Sequence, residues 1–368
     1  CSLQVIRQVG FPTPLLEHVP YHILPILFHQ LHEEHCGGFG IAHGPVAVVD
    51  GYAQAAAQVA EAVPRFVRED LAAEPDGAEF FRVEFDAALS QRQAAVGAKL
   101  DVRARGQREA LGAGVLEQVA AQLNAWGWSV EGYDHRGHGR SQGVQGALRR
   151  DDDLVHDLAA VVSAVRAEQS DGPLLLMGHS MGGLVAASYV ADLLEPRSPA
   201  GFTDVDGLIL SSPALAVDLN IAQKVLMSSL ARLLPDVLVR TGFDPKATCR
   251  DPAVVQAYKD DPLVHDRISG RLGRFIVEGG EYVRALAAQW VKPTLLLYAG
   301  ADQIVSPQGS ARFSESAPRV VQSQCFQHMA HEILNEPDQG QVFHALRLWL
   351  DDRYVRQALH TRPSLDAA

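Results

Sequence analysis

The sequence predicts an α/β fold: a mostly parallel sheet with helices on both faces and an inserted helical cap. Two observations carry this. From about residue 114 onward, short apolar strands alternate with amphipathic helices, the pattern of a sheet buried on both sides. Between about 215 and 285 the alternation stops, and apolar residues recur at helical spacing with no strand signal between them. The N-terminal third shows neither pattern. The expected organisation is therefore an atypical N-terminal region at 1–113, a first core part at 114–214, a cap at 215–285, a second core part at 286–358 and a tail at 359–368.

The elements follow in order. Val115, Leu116, Val119 and Leu123 share a helical face, and Trp128–Tyr133 reads as a strand ending at Asp134. Leu154, Leu158, Val161, Val162 and Val165 mark a second helix. Next come a buried strand at Leu174–Met177, a sharp turn, and a small-residue helix from Met181 to about Leu194. Gly207–Leu210 is a strand stopped by Ser211-Ser212-Pro213. In the cap, Val225, Leu226, Leu230, Leu233, Leu234, Val237 and Leu238 form helical apolar patterns. Thr294–Tyr298 and Val320–Phe326 complete the strands, and a last helix carries Val342, Phe343, Leu346 and Trp349.

A chain of 368 residues with 47% apolar content buries a large core. Its net charge of -12 argues against a nucleic-acid partner, because a phosphate-binding surface needs a basic excess. Cys1, Cys36, Cys249 and Cys325 have no metal-type spacing and read as free thiols. His29, His32, His35 and His43 crowd the first third, but no acidic or cysteine partner sits at sensible intervals, so no metal is assigned. No apolar run reaches the roughly 18 residues of a membrane span. The chain opens at Cys1 without Met. That fits a truncated or misassigned start, with a cytoplasmic location expected, or the mature end of a processed lipoprotein; no signal segment decides between them.

Gly178-His179-Ser180-Met181-Gly182 matches G-x-S-x-G between an apolar strand and a helix, the context that makes the pattern a nucleophile elbow. The turn is tight enough that Gly178 and Gly182 must lack bulk. It aims the Ser180 hydroxyl at the N-terminus of the next helix, where the N–H of Met181 can stabilise an oxyanion. A serine hydroxyl needs a base and an orienting carboxylate, and in folds built on this elbow both follow it in the chain, acid first. Asp302, just past the strand Thr294–Tyr298, is the acid candidate; Asp261 and Asp206 compete, but neither directly follows a strand. His331 and His328, after the final strand, are the candidate bases. His179 is read as pointing away from the partner side of the turn. In Asp134-His135-Arg136-Gly137-His138-Gly139, the charged pair Asp134 and Arg136 is expected to hold a structural loop.

With those runs in hand, the chain resembles the monoacylglycerol lipase/lysophospholipase group of α/β hydrolases, also labelled serine aminopeptidase-like. The matching runs are YDHRGHGRSQG, GHSMGG, DPLVH, PTLLLYAGADQIVSP and HEILNEP, spread over roughly residues 115–352. The resemblance implies the α/β-hydrolase fold and a base at the histidine followed by Glu and then Asn-Glu-Pro, which selects His331 over His328. It implies Asp302 as the acid and the 215–285 segment as a lid shaping an acyl-chain channel. The implied chemistry is hydrolysis of a small-molecule acyl ester without a cofactor or metal, with transient contact to lipid surfaces through the cap. Amide or peptide hydrolysis is the second reading, since one triad serves both bonds. Ser180 argues against a carboxylate nucleophile, as in dehalogenases and epoxide hydrolases.

One departure stands out. The family carries a strand ending in His-Gly whose loop donates a second oxyanion N–H. Near 100–110 this sequence reads KLDVRARGQREALGAG instead, and His43-Gly44 is too far upstream to replace it. If Val102–Gly106 were encoded GTT CGT GCA CGG GGN, reading one base later would give Phe-Val-His-Gly. A frameshifted N-terminal third is thus one expectation, and an unrelated extension is the other. Either leaves a catalytically impaired protein as the rival to an active enzyme.

Overall fold

The computed structural model describes residues 3–8, 102–103, 115–168, 172–196, 199, 201–218 and 231–355. Its elements are β1 (Leu3–Gln8), β2 (Val102–Arg103), α1 (Val115–Ala125), β3 (Trp128–Tyr133), α2 (Asp153–Glu168), β4 (Leu174–His179), α3 (Met181–Leu194) and β5 (Gly207–Ser211). They continue as β6 (Leu238–Arg240), α4 (Pro252–Asp260), β7 (Arg267–Ser269), α5 (Gly270–Ala285), β8 (Thr294–Ala299), α6 (Pro307–Ser316), β9 (Val321–Phe326) and α7 (Gly340–Leu350). The expected core strands lie within two residues of these bounds.

Seven strands form one sheet in the order β2-β3-β1-β4-β5-β8-β9, with β4, β5, β8 and β9 parallel. Every residue of β3, β4 and β5 is buried, which is why β4 and β5 read as near-continuous apolar runs instead of alternating ones. Leu175, Met177, Ile209, Leu295 and Leu297 point to one face and pack with Val119 and Leu123 of α1 and Val342, Phe343, Leu346 and Trp349 of α7. On the other face α3 lies on β4 and β5, with α2 and α5 against it. Helix α3 is apolar nearly all round, as a helix enclosed by neighbours must be: Leu184, Val185, Tyr189 and Val190 are fully buried.

Two expectations are corrected. The sequence reading left the 215–285 segment without strands, but β6 and β7 pair there as an antiparallel ribbon, Leu238 opposite Ser269 and Arg240 opposite Arg267. Pro235 stops helical propagation and Gly242, at φ 69°, closes the strand, so Leu238–Arg240 adopts the extended state that Val239 favours. The second correction concerns the first third, which is not wholly without sheet. β1 fills the position between β3 and β4, antiparallel to both, with Leu3 opposite Tyr133 on one side and Gly178 on the other. β2 pairs at the outer edge of β3. The histidines at 29, 32, 35 and 43, along with Cys1 and Cys36, lie outside the described residues.

Candidate active site

Ser180, Asp302 and His331 follow the C-terminal ends of the parallel strands β4, β8 and β9. Ser180 sits between β4 and α3 at φ 54°, ψ -123°, a strained conformation for a residue with a side chain. The strain is held from both sides: Ser180 N–H donates to Ser211 O (3.0 Å), and Ser180 O accepts from Ala214 N–H (3.0 Å) and Leu184 N–H (3.1 Å). A Cβ on Gly178 would run into the carbonyl of Gly182 and come within 2.7 Å of Gly183 Cα. The elbow therefore closes only because residue 178 has none. Leu184 N–H makes the first turn-closing bond of α3 to Ser180 O, so the N–H groups of Met181, Gly182 and Gly183 precede the helical ladder at its positive end.

Asp302 and His331 meet across two loops. Nδ1 of His331 lies 2.7 Å from Oδ2 of Asp302, with side-chain exposures of 4% and 2%. The other carboxylate oxygen, Oδ1, accepts the N–H groups of Ile304 (2.8 Å) and Val305 (3.0 Å). The competitors are elsewhere. Asp206, before β5, binds Arg166 and the N–H of Leu174 at 2.8 Å each, at the opposite end of the strands. Asp261 caps its own turn through Leu263 N–H (2.8 Å). His328 is exposed on the surface.

The loop after β3 is a structural one. Arg136 is buried between Asp157 (Nε to Oδ2, 2.6 Å) and Asp153 (Nη1 to Oδ2, 2.9 Å), while Asp134 Oδ2 accepts Arg140 N–H at 3.0 Å. His135 is fully buried against Tyr133, with neither ring nitrogen hydrogen-bonded among the described residues. Burial pushes its pKa well below the ordinary value, so the ring is neutral. Cys249 is likewise pushed up to about 12 by burial, which leaves it an inert thiol. Among the described residues, no three His, Cys, Asp or Glu side chains gather as metal ligands, and no helix is long and apolar enough to cross a membrane.

His179 departs from the sequence reading. It does not point away from the site: its ring lies 4.8 Å from that of His331. Its Nδ1 is 3.0 Å from Ser211 Oγ, and its Nε2 is 3.2 Å from Oε1 of Glu332. Neither Glu332 nor Ser211 was singled out in the sequence. The adjacency of Glu332 to His331 was the one visible signal.

Comparison with known proteins places the fold in a family. The family model described as serine aminopeptidase, S33, matches residues 110–338. The chain is 30% identical over 242 residues to the monoacylglycerol lipase of Mycolicibacterium smegmatis, covering 65% of this chain and 83% of that protein. It is 30% identical over 254 residues to an abhydrolase domain-containing protein of Dictyostelium discoideum, of which it spans only 26%. The crystal structure of Paleococcus ferrophilus monoacylglycerol lipase superposes with a TM-score of 0.58 at 30% identity, over 69% of this chain and 98% of that one. A strand–serine–helix elbow, an acid–histidine pair at the strand ends and a family match over more than half the residues converge on one conclusion: the chain belongs to the serine aminopeptidase, S33, family of α/β hydrolases and is a serine hydrolase.

Proposed function

We propose that the chain hydrolyses carboxylic esters bearing an acyl chain, with monoacylglycerols and lysophospholipids as the substrate class, through a Ser180–His331–Asp302 triad and an acyl-enzyme. The observation that carries this reading is the 2.7 Å contact between the buried His331 and Asp302, with the His331 ring 4.8 Å from that of His179, the residue before Ser180. The substrate class is supported by the similarity to proteins named monoacylglycerol lipase.

Asp302 accepts the Nδ1–H of His331 and so leaves Nε2 free as the base. Ser180 Oγ attacks the ester carbonyl carbon while its proton passes to His331. The oxyanion receives the N–H of Met181, and one such donor is worth about 10²–10³ in rate. Collapse expels the alcohol, protonated by His331, and leaves an acyl group on Ser180. Water, deprotonated by the same imidazole, then releases the acid. These steps need no metal or organic cofactor.

In this scheme the 215–285 segment caps the strand ends and shapes the acyl site. Its exposed Leu233 (78%), Leu234, Val237 and Val239 give it a surface for transient contact with lipid. The description of the matched family as an aminopeptidase favours a second reading, amide hydrolysis by the same residues.

The test is active-site labelling combined with turnover. A fluorophosphonate probe labels wild type and not Ser180→Ala, and kcat/KM on p-nitrophenyl esters rises with acyl length and exceeds that on matched p-nitroanilides. A preference for anilides would establish the amide reading. Folded wild type that neither labels nor turns over would mark a catalytically impaired member of the family.

A further inference from the structure

A second acid–histidine contact lies directly against the first. His179 ends β4 one residue before Ser180 and is 8% exposed. Its Nδ1 faces Oγ of the fully buried Ser211 at the end of β5. Its Nε2 lies 3.2 Å from Oε1 of Glu332, off the line of an ideal hydrogen bond. Glu332 is moored by more than this contact. Its N–H donates to Thr248 O at 2.8 Å, and its Oε2 accepts from Asn335 Nδ2 at 3.1 Å. His331 is therefore flanked by two carboxylates, one bonded to its Nδ1 and one on its own chain neighbour.

We propose that Glu332 and His179 form a positioning pair for His331. Glu332, tied to β4 by His179 and to its own loop by Asn335, sets the orientation of the imidazole and adds a negative charge that favours its protonated form. The inference rests on the triad reading above and deepens it.

Charge supports the geometry. Burial pushes the Glu332 carboxyl upward, yet His179, and after it His331, hold it down to about 2, so it is an anion throughout the range in which a histidine base works. Tyr258 on α4 also interacts with it. The Tyr258 phenol is pushed up to about 12 by burial and by Glu332, and is neutral. Arg250 is engaged by Glu336 and Asp338. An anion beside an imidazole favours its protonated form. Without it, the acidic limb of the pH–rate profile moves to lower pH and the base weakens.

The experiment measures kcat and KM against pH for wild type, Glu332→Gln, His179→Gln and the double variant, with melting temperatures recorded alongside. Glutamine at 332 keeps the shape and one acceptor oxygen, and loses the charge and the second acceptor. The expected result is kcat lower by about tenfold, KM within twofold, and the acidic limb of kcat/KM lower by about 1 pH unit in Glu332→Gln. The double variant loses no more than the larger single loss, because one unit has been removed twice. An unmoved limb, or losses that simply add, overturns the proposal. Should Glu332→Gln fail to fold, the His331 imidazole titration followed by NMR in His179→Gln decides the matter, and a titration identical to wild type overturns it. His331→Ala separates the two layers: if it retains activity the triad reading fails, whereas its inactivity beside an unmoved limb in Glu332→Gln removes only the positioning pair.

Discussion

Asp302 uses both carboxylate oxygens: Oδ2 binds Nδ1 of His331 at 2.7 Å, and Oδ1 takes the N–H groups of Ile304 and Val305. The loop thus fixes the carboxylate, and the carboxylate in turn fixes the tautomer of the imidazole. Asp302→Asn keeps the size of the side chain but offers His331 an amide, which rotates to keep its oxygen toward the two backbone donors. Its NH₂ then faces Nδ1, and Nε2 becomes the protonated nitrogen. Turnover of a p-nitrophenyl ester should fall by about 10⁴, with the melting temperature nearly unchanged. A loss below tenfold would show that the histidine does not depend on Asp302.

The two candidate histidines give a clean contrast. His331 is buried beside the elbow, and His328 is exposed three residues earlier. Ester hydrolysis should collapse by at least about 10³ in His331→Ala and stay within twofold of wild type in His328→Ala. The reverse pattern would move the base to His328.

Gly178 tests the elbow itself. A methyl group there meets the backbone of Gly182 and Gly183, which belongs to the turn and cannot swing aside as a side-chain tip would. Gly178→Ala should cost about 1–3 kcal/mol in urea unfolding and lower fluorophosphonate labelling of Ser180 in the fraction that remains folded. Unchanged stability and labelling would show that the turn has room to spare.

How much of this was readable before the structure depended on how local the signal was. Ser180 was legible because the elbow is a matter of neighbouring residues, glycines two positions either side and a strand and helix around them. Asp302 and His331 were legible as residues placed just past strands, although the choice of His331 over His328 rested on the family pattern. The engagement of His179 with Glu332 was not legible, because 153 positions of chain separate the two and only β-sheet packing brings them together. β1 escaped for a related reason. Leu-Gln-Val-Ile-Arg-Gln mixes polar residues into a short run, yet it becomes a strand because β3 and β4 offer hydrogen bonds on both edges. The ribbon of β6 and β7 was hidden because Leu and Val at helical spacing also satisfy a three-residue strand.

Arg136 offers a prediction in which pH dependence separates charge from packing. Its guanidinium is buried between Asp157 and Asp153, with side-chain exposures of 4%, 0% and 2%. Removing one partner of a buried ion pair typically costs about 3–5 kcal/mol, because a charge is left without compensation, so Arg136→Ala should be that much less stable at pH 7. Burial already raises the Asp157 carboxyl above its ordinary 3.8, and Arg136 opposes that rise. Without the arginine the folded-state pKa climbs further. Folded Asp157 then holds a proton that the unfolded chain releases once pH exceeds about 3.8, so the variant loses stability as pH rises from there to its folded pKa. The deficit relative to wild type should therefore be smaller at pH 4 than at pH 7, by about 1 kcal/mol or more. Urea titrations of both proteins at the two pH values measure it, and an equal deficit at both would assign the loss to packing of the arginine stem instead of its charge.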